Sequence, residues 1–217
     1  PLVGATARVC RRLRCCANGI DCAVMNDAPT ESRAADGPMG LADVARQLAE
    51  RKLPPVDKWN PTHCGPSDMR IARDGTWFHT GTPIGRPALV KLFSTILRRE
   101  PDGSFVLVTP VEKLDIEVED APFIAVELTS EGEGPTRRLG FRLNTDDYVI
   151  AGPDNILRVE TAPDGTPRPY IHVRAGLEAL INRAVFYEMV ELALNEGASP
   201  PGLWSEGCFF AFAPAPL

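Results

Sequence analysis

The sequence predicts an α+β protein of two related small domains, each a mainly antiparallel sheet packed with a helix. Three observations predict this. Short strand-like runs recur along the chain, most of all in the second half. The turn Asp74-Gly75-Thr76 returns as Asp164-Gly165-Thr166, each time between strand-like runs. Each half also sets an apolar helical pattern ahead of a short apolar strand, residues 105–109 (FVLVT) and 208–212 (CFFAF).

The chain opens on a segment unlike the rest. Residues 1–24 hold four of the six cysteines and four arginines against one acid. The arginines interrupt any apolar core of a signal peptide. Cys10, Cys15, Cys16 and Cys22 form no paired C-x-x-C spacing, so a metal or disulfide knot is the weaker reading. The segment is expected to be a non-native extension with Met25 as the natural start. Residues 25–38 are small, polar and aperiodic, so residues 1–39 together are expected to form a disordered or non-native leader.

The N-terminal domain is expected over 40–110. Leu41, Val44, Ala45 and Leu48 recur at helical spacing, and Pro54-Pro55 stops that helix near residue 52. An irregular segment follows, with Trp59 anchored on the core. Residues 69–72 and 77–81 flank the turn around Asp74-Gly75 as a hairpin. Leu89, Leu92, Phe93, Ile96 and Leu97 then share one face of a helix over 86–99. Pro87 suits its first turn, and Arg98 and Arg99 complement its negative end.

The C-terminal domain is expected over 111–217. Leu114, Ile116 and Val118 alternate with Lys113, Asp115, Glu117 and Glu119, the pattern of a half-buried strand. Strand-like runs follow at 123–130, 137–143, 148–152, 156–161 and 169–174, and a long helix is expected over 177–195 with Gly197 as its left-handed cap. Aligning Leu89, Leu92, Phe93, Ile96 and Leu97 with Leu177, Leu180, Ile181, Ala184 and Val185 makes the two halves an internal duplication of a strand–turn–strand–helix–strand unit.

The bulk chemistry excludes more than it proposes. The formal charge of −6 disfavours broad nucleic-acid binding through phosphate neutralisation. No apolar run approaches a membrane-spanning length, and the sparse cysteines after residue 25, Cys64 and Cys208, fit a cytoplasmic setting. His63, Cys64, Asp68, His79, His172 and Cys208 match no metal-binding motif, and no cofactor fingerprint occurs. His79 and His172 read as structural histidines and the acidic run from Asp115 to Asp120 as a solvated strand face. Cys64 beside His63 reads as a buried cysteine rather than a thiolate–imidazole nucleophile. No catalytic residue is assigned.

One stretch invites an anion. Thr82, Gly85 and Arg86 lie where a strand passes through a Gly- and Pro-rich turn into a helix, and free N–H groups at a helix start attract phosphate. Arg86 is unfavourable for the helix dipole unless it meets a bound anion or a carboxylate of its own protein. In the second half Arg174 precedes a helix bearing Asn182 and Arg183 on the side that carries Tyr187. If equivalent edges met, Arg86 and Arg174 would face one cleft, with Asp68 and Arg70 beside it as a salt bridge or as ligand contacts. Asn182 facing solvent is the alternative for that residue.

Five stretches carry a family resemblance: DMRIARDGTWFHTGTPIGRPALVKLFSTILRR, FVLVTPVEK, EDAPFIAV, TDDYVIAGPDN and LEALINRAVFYEMVELAL. Through them residues 40–212 resemble the bacterial family of domain of unknown function 1285. The resemblance implies two similar α+β domains, the second like a pleckstrin-homology sheet with a C-terminal helix. It also implies a nucleotide-like ligand at the domain interface and a signalling role, with no established activity. The expectation is therefore a ligand-binding or sensor protein. An enzyme acting on phosphoesters or nucleotides and a protein-interaction adaptor are the alternatives.

Overall fold

The computed structural model describes residues 53–197 and 199–212. The expected leader, Met25 and the whole helix expected over 40–52 lie outside these residues. After a 3-10 turn, Val56–Lys58, the first sheet is built from six strands. They are β1 (His63–Ile71), β2 (Trp77–His79), β3 (Thr82–Pro83), β4 (Leu97–Arg99), β5 (Phe105–Val108) and β6 (Lys113–Val118). Helix α1 (Pro87–Thr95) connects β3 to β4. The spatial order is β3-β2-β1-β6-β5-β4, with only the central pair β1–β6 parallel.

The second sheet is built from β7 (Phe123–Glu131), β8 (Arg138–Leu143), β9 (Tyr148–Ile150), β10 (Leu157–Thr161), β11 (Pro167–Arg174) and β12 (Leu177–Ile181). Its order is β10-β11-β12-β7-β8-β9, and again the parallel pair, β12–β7, joins the first and last strands. Both sheets are thus two three-stranded meanders meeting at one parallel seam. Helix α2 (Arg183–Glu196) follows, ended by Gly197 at φ +65° as the sequence predicts. A small hairpin, β13 (Gly202–Ser205) and β14 (Cys208–Ala211), closes the described chain. The change of sheet falls between Val118 and Phe123, later than the expected boundary at 110.

The expected helices over 86–99 and 177–195 are both shorter than their apolar periodicity indicates. Helix α1 stops at Thr95, because Leu97–Arg99 pairs with Phe105–Leu107 as a strand. Arg98 and Arg99 therefore do not compensate a helix dipole. Arg98 donates to the carbonyls of Val56 (2.9 Å) and Trp59 (2.7 Å), while Arg99 lies over the Phe105 ring. The predicted α1 face also splits: Phe93 and Ile96 pack on the core, while Leu92 stays 57% exposed. Similarly, Leu177, Ala179 and Ile181 are buried in alternation as strand β12, and the second helix starts only after Asn182.

That correction removes the helix alignment behind the expected duplication, since Leu177–Ile181 is strand and not helix. The Asp-Gly-Thr match fails too, because Asp74 turns β1 into β2 whereas Asp164 turns β10 into β11. The shared feature is turn chemistry, and it occurs three times: at 72–76, 100–104 and 162–166. In each, the glycine N–H donates back to the first carbonyl and the first N–H donates to the fifth carbonyl, at 2.8–2.9 Å. The aspartate accepts from the last N–H at 2.9 Å. Glycine supplies the positive φ that this turn-plus-bulge requires, +81°, +89° and +81°. By strand order, the counterpart of the turn at 162–166 is the one at 100–104, both joining the fourth strand of a sheet to the fifth.

The two sheets share one contiguous apolar core. It runs from Met69, Ile71, Trp77 and Leu97 in the first to Phe123, Phe141, Ile171 and Leu177 in the second. Polar side chains stitch the seam. Arg174 Nη2 donates to the Ser94 carbonyl in the last turn of α1 (2.6 Å), and its guanidinium lies 5.2 Å from the Phe123 ring centre. In return Arg99 Nη1 donates to Gly176 O (3.2 Å). Asn144 accepts from Ile124 N–H (3.1 Å) and approaches Gly75 so closely that a Cβ there would lie 2.7 Å from the Asn144 amide. Arg174→Ala deletes a charged donor on a helix carbonyl and a cation–π contact. It is expected to cost about 1–3 kcal/mol, read as a lower urea midpoint at unchanged slope.

Candidate functional site

The strongest convergence of polar side chains lies where the β1–β2 turn meets the second sheet. Arg73, Asp164, Arg168, Asn182, Arg183 and Tyr187 line a cavity of about 400 Å³ there. Each is placed by local chemistry. Arg73 is the second residue of the tight turn, and its own N–H is held by Glu119 (3.0 Å). Asn182 is the N-cap of α2: its Oδ1 accepts from Val185 N–H at 2.8 Å, while its backbone N–H donates to Ala125 O at 3.1 Å. This capping role corrects the reading of Asn182 as a polar residue within a helix. Arg183 then occupies the first helical position, and Tyr187 sits one turn on, 61% exposed.

The charges of this cleft divide into a neutralised layer, a free one, and the Asp164 carboxylate, which accepts from Thr166 N–H. Arg168 forms an ion pair with Asp120, which also accepts from the Tyr170 hydroxyl (2.9 Å). Burial, reinforced by the adjacent Asp120 carboxylate, pushes the Tyr170 phenol up to about 12. The Arg73 and Arg183 guanidinium groups have no partner among the described residues. Two free guanidinium groups, one from each sheet's side of the cleft, therefore flank the positive end of α2. That arrangement suits a ligand with more than one negative oxygen.

The other expected site residues are dispersed. Asp68 has φ +55° at an irregularity of β1, and it lines a second cavity of about 800 Å³ with Arg70, Thr80 and Asp115. Arg70 does not pair with Asp68; it pairs with Glu119 and lies 4.4 Å over Phe78. Thr82 is exposed on edge strand β3. Gly85 lines a smaller cavity of about 260 Å³ with Pro87, Trp77 and Asn144. Arg86 caps α1 with its backbone only, and its side chain has no partner among the described residues. Arg174 binds Ser94 near the C-terminal end of α1, whereas Arg86 stands at the N-terminus. At about 1.5 Å rise per residue a helix separates such ends by a turn or more, so the two arginines do not face one cleft. Of the eight expected residues, the junction cleft gathers Asn182 and Arg183.

Among the described residues, nucleophilic and metal chemistry find no assembled centre. Cys64 is exposed rather than buried, with its thiol on the Thr62 carbonyl (3.3 Å), while His63 bonds Asp115 (2.8 Å). His172 is satisfied on both ring nitrogens, by Asp154 O (3.0 Å) and Gly176 N (3.2 Å). His79 is exposed instead of packed. Among the described residues no group of three or more potential ligands is arranged to hold a metal. Asp115, Glu119 and Asp120 each engage a histidine or arginine of the same chain.

Sheet order, parallel seams and a C-terminal helix beside the junction cleft define a two-domain α+β protein. The comparisons place it more closely. Residues 54–121 match the N-terminal domain, and 122–212 the C-terminal domain, of the domain of unknown function 1285 family. The chain belongs to that family. It is 50% identical to a DUF1285 family protein from Silicibacter pomeroyi DSS-3, with a TM-score of 0.70, covering 81% of this chain and 96% of that one. A second crystal structure, a DUF1285 family protein from Shewanella baltica OS155, is 28% identical with a TM-score of 0.46, covering 58% and 91%. No curated protein matches the chain. No helix among the described residues is long and apolar enough to cross a membrane.

The Tyr170 environment gives a direct spectroscopic expectation. The folded phenol ionises near pH 12, above its ordinary value of about 10. Its stabilising effect is therefore complete below pH ~10 and lost as pH rises toward ~12. Difference absorbance between this protein and Tyr170→Phe should show the missing tyrosinate appearing near pH 12; appearance near 10 would mean that neither the burial of Tyr170 nor its Asp120 contact holds in solution.

Proposed function

We propose that this protein binds a small phosphate-bearing, nucleotide-like ligand in the junction cleft and acts as a sensor in signalling. One observation carries the reading: Arg73 and Arg183 approach a single cavity from separate elements, and neither is neutralised within the described chain. Arginine's planar fork matches phosphate oxygens, and the start of α2 adds a favourable dipole. The exposed Tyr187 ring offers a flat surface at the rim for a base. Arg86 with Gly85, at the start of α1, is a subsidiary anion contact in this reading. We place the protein in the cytoplasm, in keeping with its free Cys64 and Cys208.

We also read the two domains as duplicated, supported by their common strand order. The pleckstrin-like comparison for the second domain is supported by its antiparallel meanders and the helix that follows them. An adaptor role is the second reading, favoured by Tyr187 and Leu194, which lie 61% and 66% exposed along one side of α2.

The test is a thermal-shift series with nucleoside mono-, di- and triphosphates, parent nucleosides and inorganic pyrophosphate. A ligand at about 100 times its dissociation constant adds about 2.7 kcal/mol of stability. Arg73→Gln and Arg183→Gln should each weaken binding about tenfold or more. Absence of any shift overturns the reading. A shift that survives both variants moves the ligand to another cavity, and turnover of the bound ligand establishes an enzyme.

A further inference from the structure

A separate cavity, of about 640 Å³, lies at the other end of α2, lined by Glu133, Arg137, Leu192, Asn195, Glu196 and Trp204. Its chemistry differs from that of the junction cleft. Arg137 follows a short 3-10 turn, Gly134–Thr136, and its side chain is only 6% exposed. One arm of the guanidinium is engaged: Nη2 pairs with Glu196, and Nε donates to Gly132 O at 3.4 Å. The other arm, Nη1, is buried with no hydrogen-bond partner. A guanidinium nitrogen kept from water with no acceptor is costly, more so than a neutral donor. Across the same cavity the carboxylate of Glu133 is exposed and has no partner among the described residues.

Arg137, with one arm buried and unsatisfied, and Glu133, with an unpaired carboxylate, line one cavity without pairing with each other. Two features constrain what bridges them. Glu196 already neutralises Arg137, so with Glu133 the charged lining sums to one negative charge, and a simple anion is repelled. The wall between is apolar and aromatic: Leu192 is partly buried in the core, and Trp204 stacks at a tilt on Phe209, 5.3 Å between ring centres. The complement carries a carboxylate for Arg137, an ammonium for Glu133 and an apolar body for Leu192 and Trp204.

We infer that this cavity is a binding site for a small zwitterion, an α-amino acid with an apolar side chain. The carboxylate accepts a charge-assisted hydrogen bond from Arg137 Nη1, the arm that Glu196 leaves unsatisfied. The ammonium neutralises Glu133, and Asn195 supplies a neutral donor and acceptor between them. Arg137 Nη1 is covered in the structure, so binding requires the side chains around it to rearrange while Glu196, 27% exposed, keeps its pair with Nη2.

Isothermal titration calorimetry on the full chain tests this with leucine, methionine and phenylalanine. The controls are N-acetylleucine, which lacks the ammonium, and leucinamide, which lacks the carboxylate. The free amino acids should bind, and each single-charge analogue should bind about tenfold or more weakly. Glu133→Gln alters an exposed side chain, so it should fold normally. It should weaken leucine while leaving N-acetylleucine unchanged, a pattern that general destabilisation would not give. The inference is overturned if none of the three amino acids releases or takes up heat. It is also overturned if either analogue binds as well as leucine, or if Glu133→Gln leaves leucine binding intact. A result at this site is independent of the nucleotide series, because no lining residue is shared with the junction cleft.

Discussion

Everything in this fold hangs on two parallel strand pairings, β1 with β6 and β12 with β7. Within each meander, strands meet neighbours through short turns, so their closure is cheap. The seams join segments that lie far apart in the chain, and chain entropy must be spent before their hydrogen bonds form. Side chains compensate. Met69, Ile71 and Ile116 at one seam, and Phe123, Ala125, Ala179 and Ile181 at the other, all belong to the common core. The first seam is also the irregular one, with register shifts on either side of Pro66. Those shifts set Asp68 at a positive φ and open the cavity beside Arg70 and Thr80.

The seams also explain why the polar chemistry gathers where it does. Joining first and last strands brings the start of each sheet beside its end, so the segment between Val118 and Phe123 passes close to both. Glu119 and Asp120 in that segment take up Arg70 and Arg168 respectively. The N-cap Asn182 is anchored to Ala125 at the second seam, which fixes where α2 begins and so where Arg183 projects. The junction cleft is therefore a by-product of sheet closure, furnished with arginines that closure does not consume.

Much of the strand inventory was legible in the sequence, because half-buried strands advertise themselves by period-two alternation. Residues 113–118 are of this kind, while β7 and β8 were legible as apolar runs flanking a glycine-rich turn. The end of α1 and the start of α2 were not legible. Leu177, Leu180 and Ile181 fit a helical face as well as a strand run, and short apolar segments do not decide between the periods. Asn182 was the one local signal, a capping residue ahead of a good helix former, and it read as a polar residue within the helix, either a ligand contact or solvent-facing. Arg98 and Arg99 misled for a related reason: a dipole argument fits any basic pair after an apolar run. The site was legible only at Asn182 and Arg183. Arg73 lies within a turn whose sequence says nothing of the distant helix it approaches. Arg137 and Glu133 carry no motif; only the shape of the folded chain leaves their charges unmatched.

The three aspartyl-glycine turns bear on how the protein ages. Such dipeptides are prone to succinimide formation, in which the glycine nitrogen attacks the preceding side-chain carboxyl carbon. At Gly75, Gly103 and Gly165 that nitrogen is committed to a main-chain carbonyl. The carboxylates of Asp74 and Asp164 are held by the N–H of Thr76 and Thr166, that of Asp102 by the hydroxyl and N–H of Ser104, and all three are kept below their ordinary pKa. An ionised carboxylate is a poor electrophile, and both reactants are tied elsewhere. The same bonds that shape the hairpins thereby shield three sites of spontaneous isomerisation, so the chemical lifetime of these turns is bound to the fold staying intact.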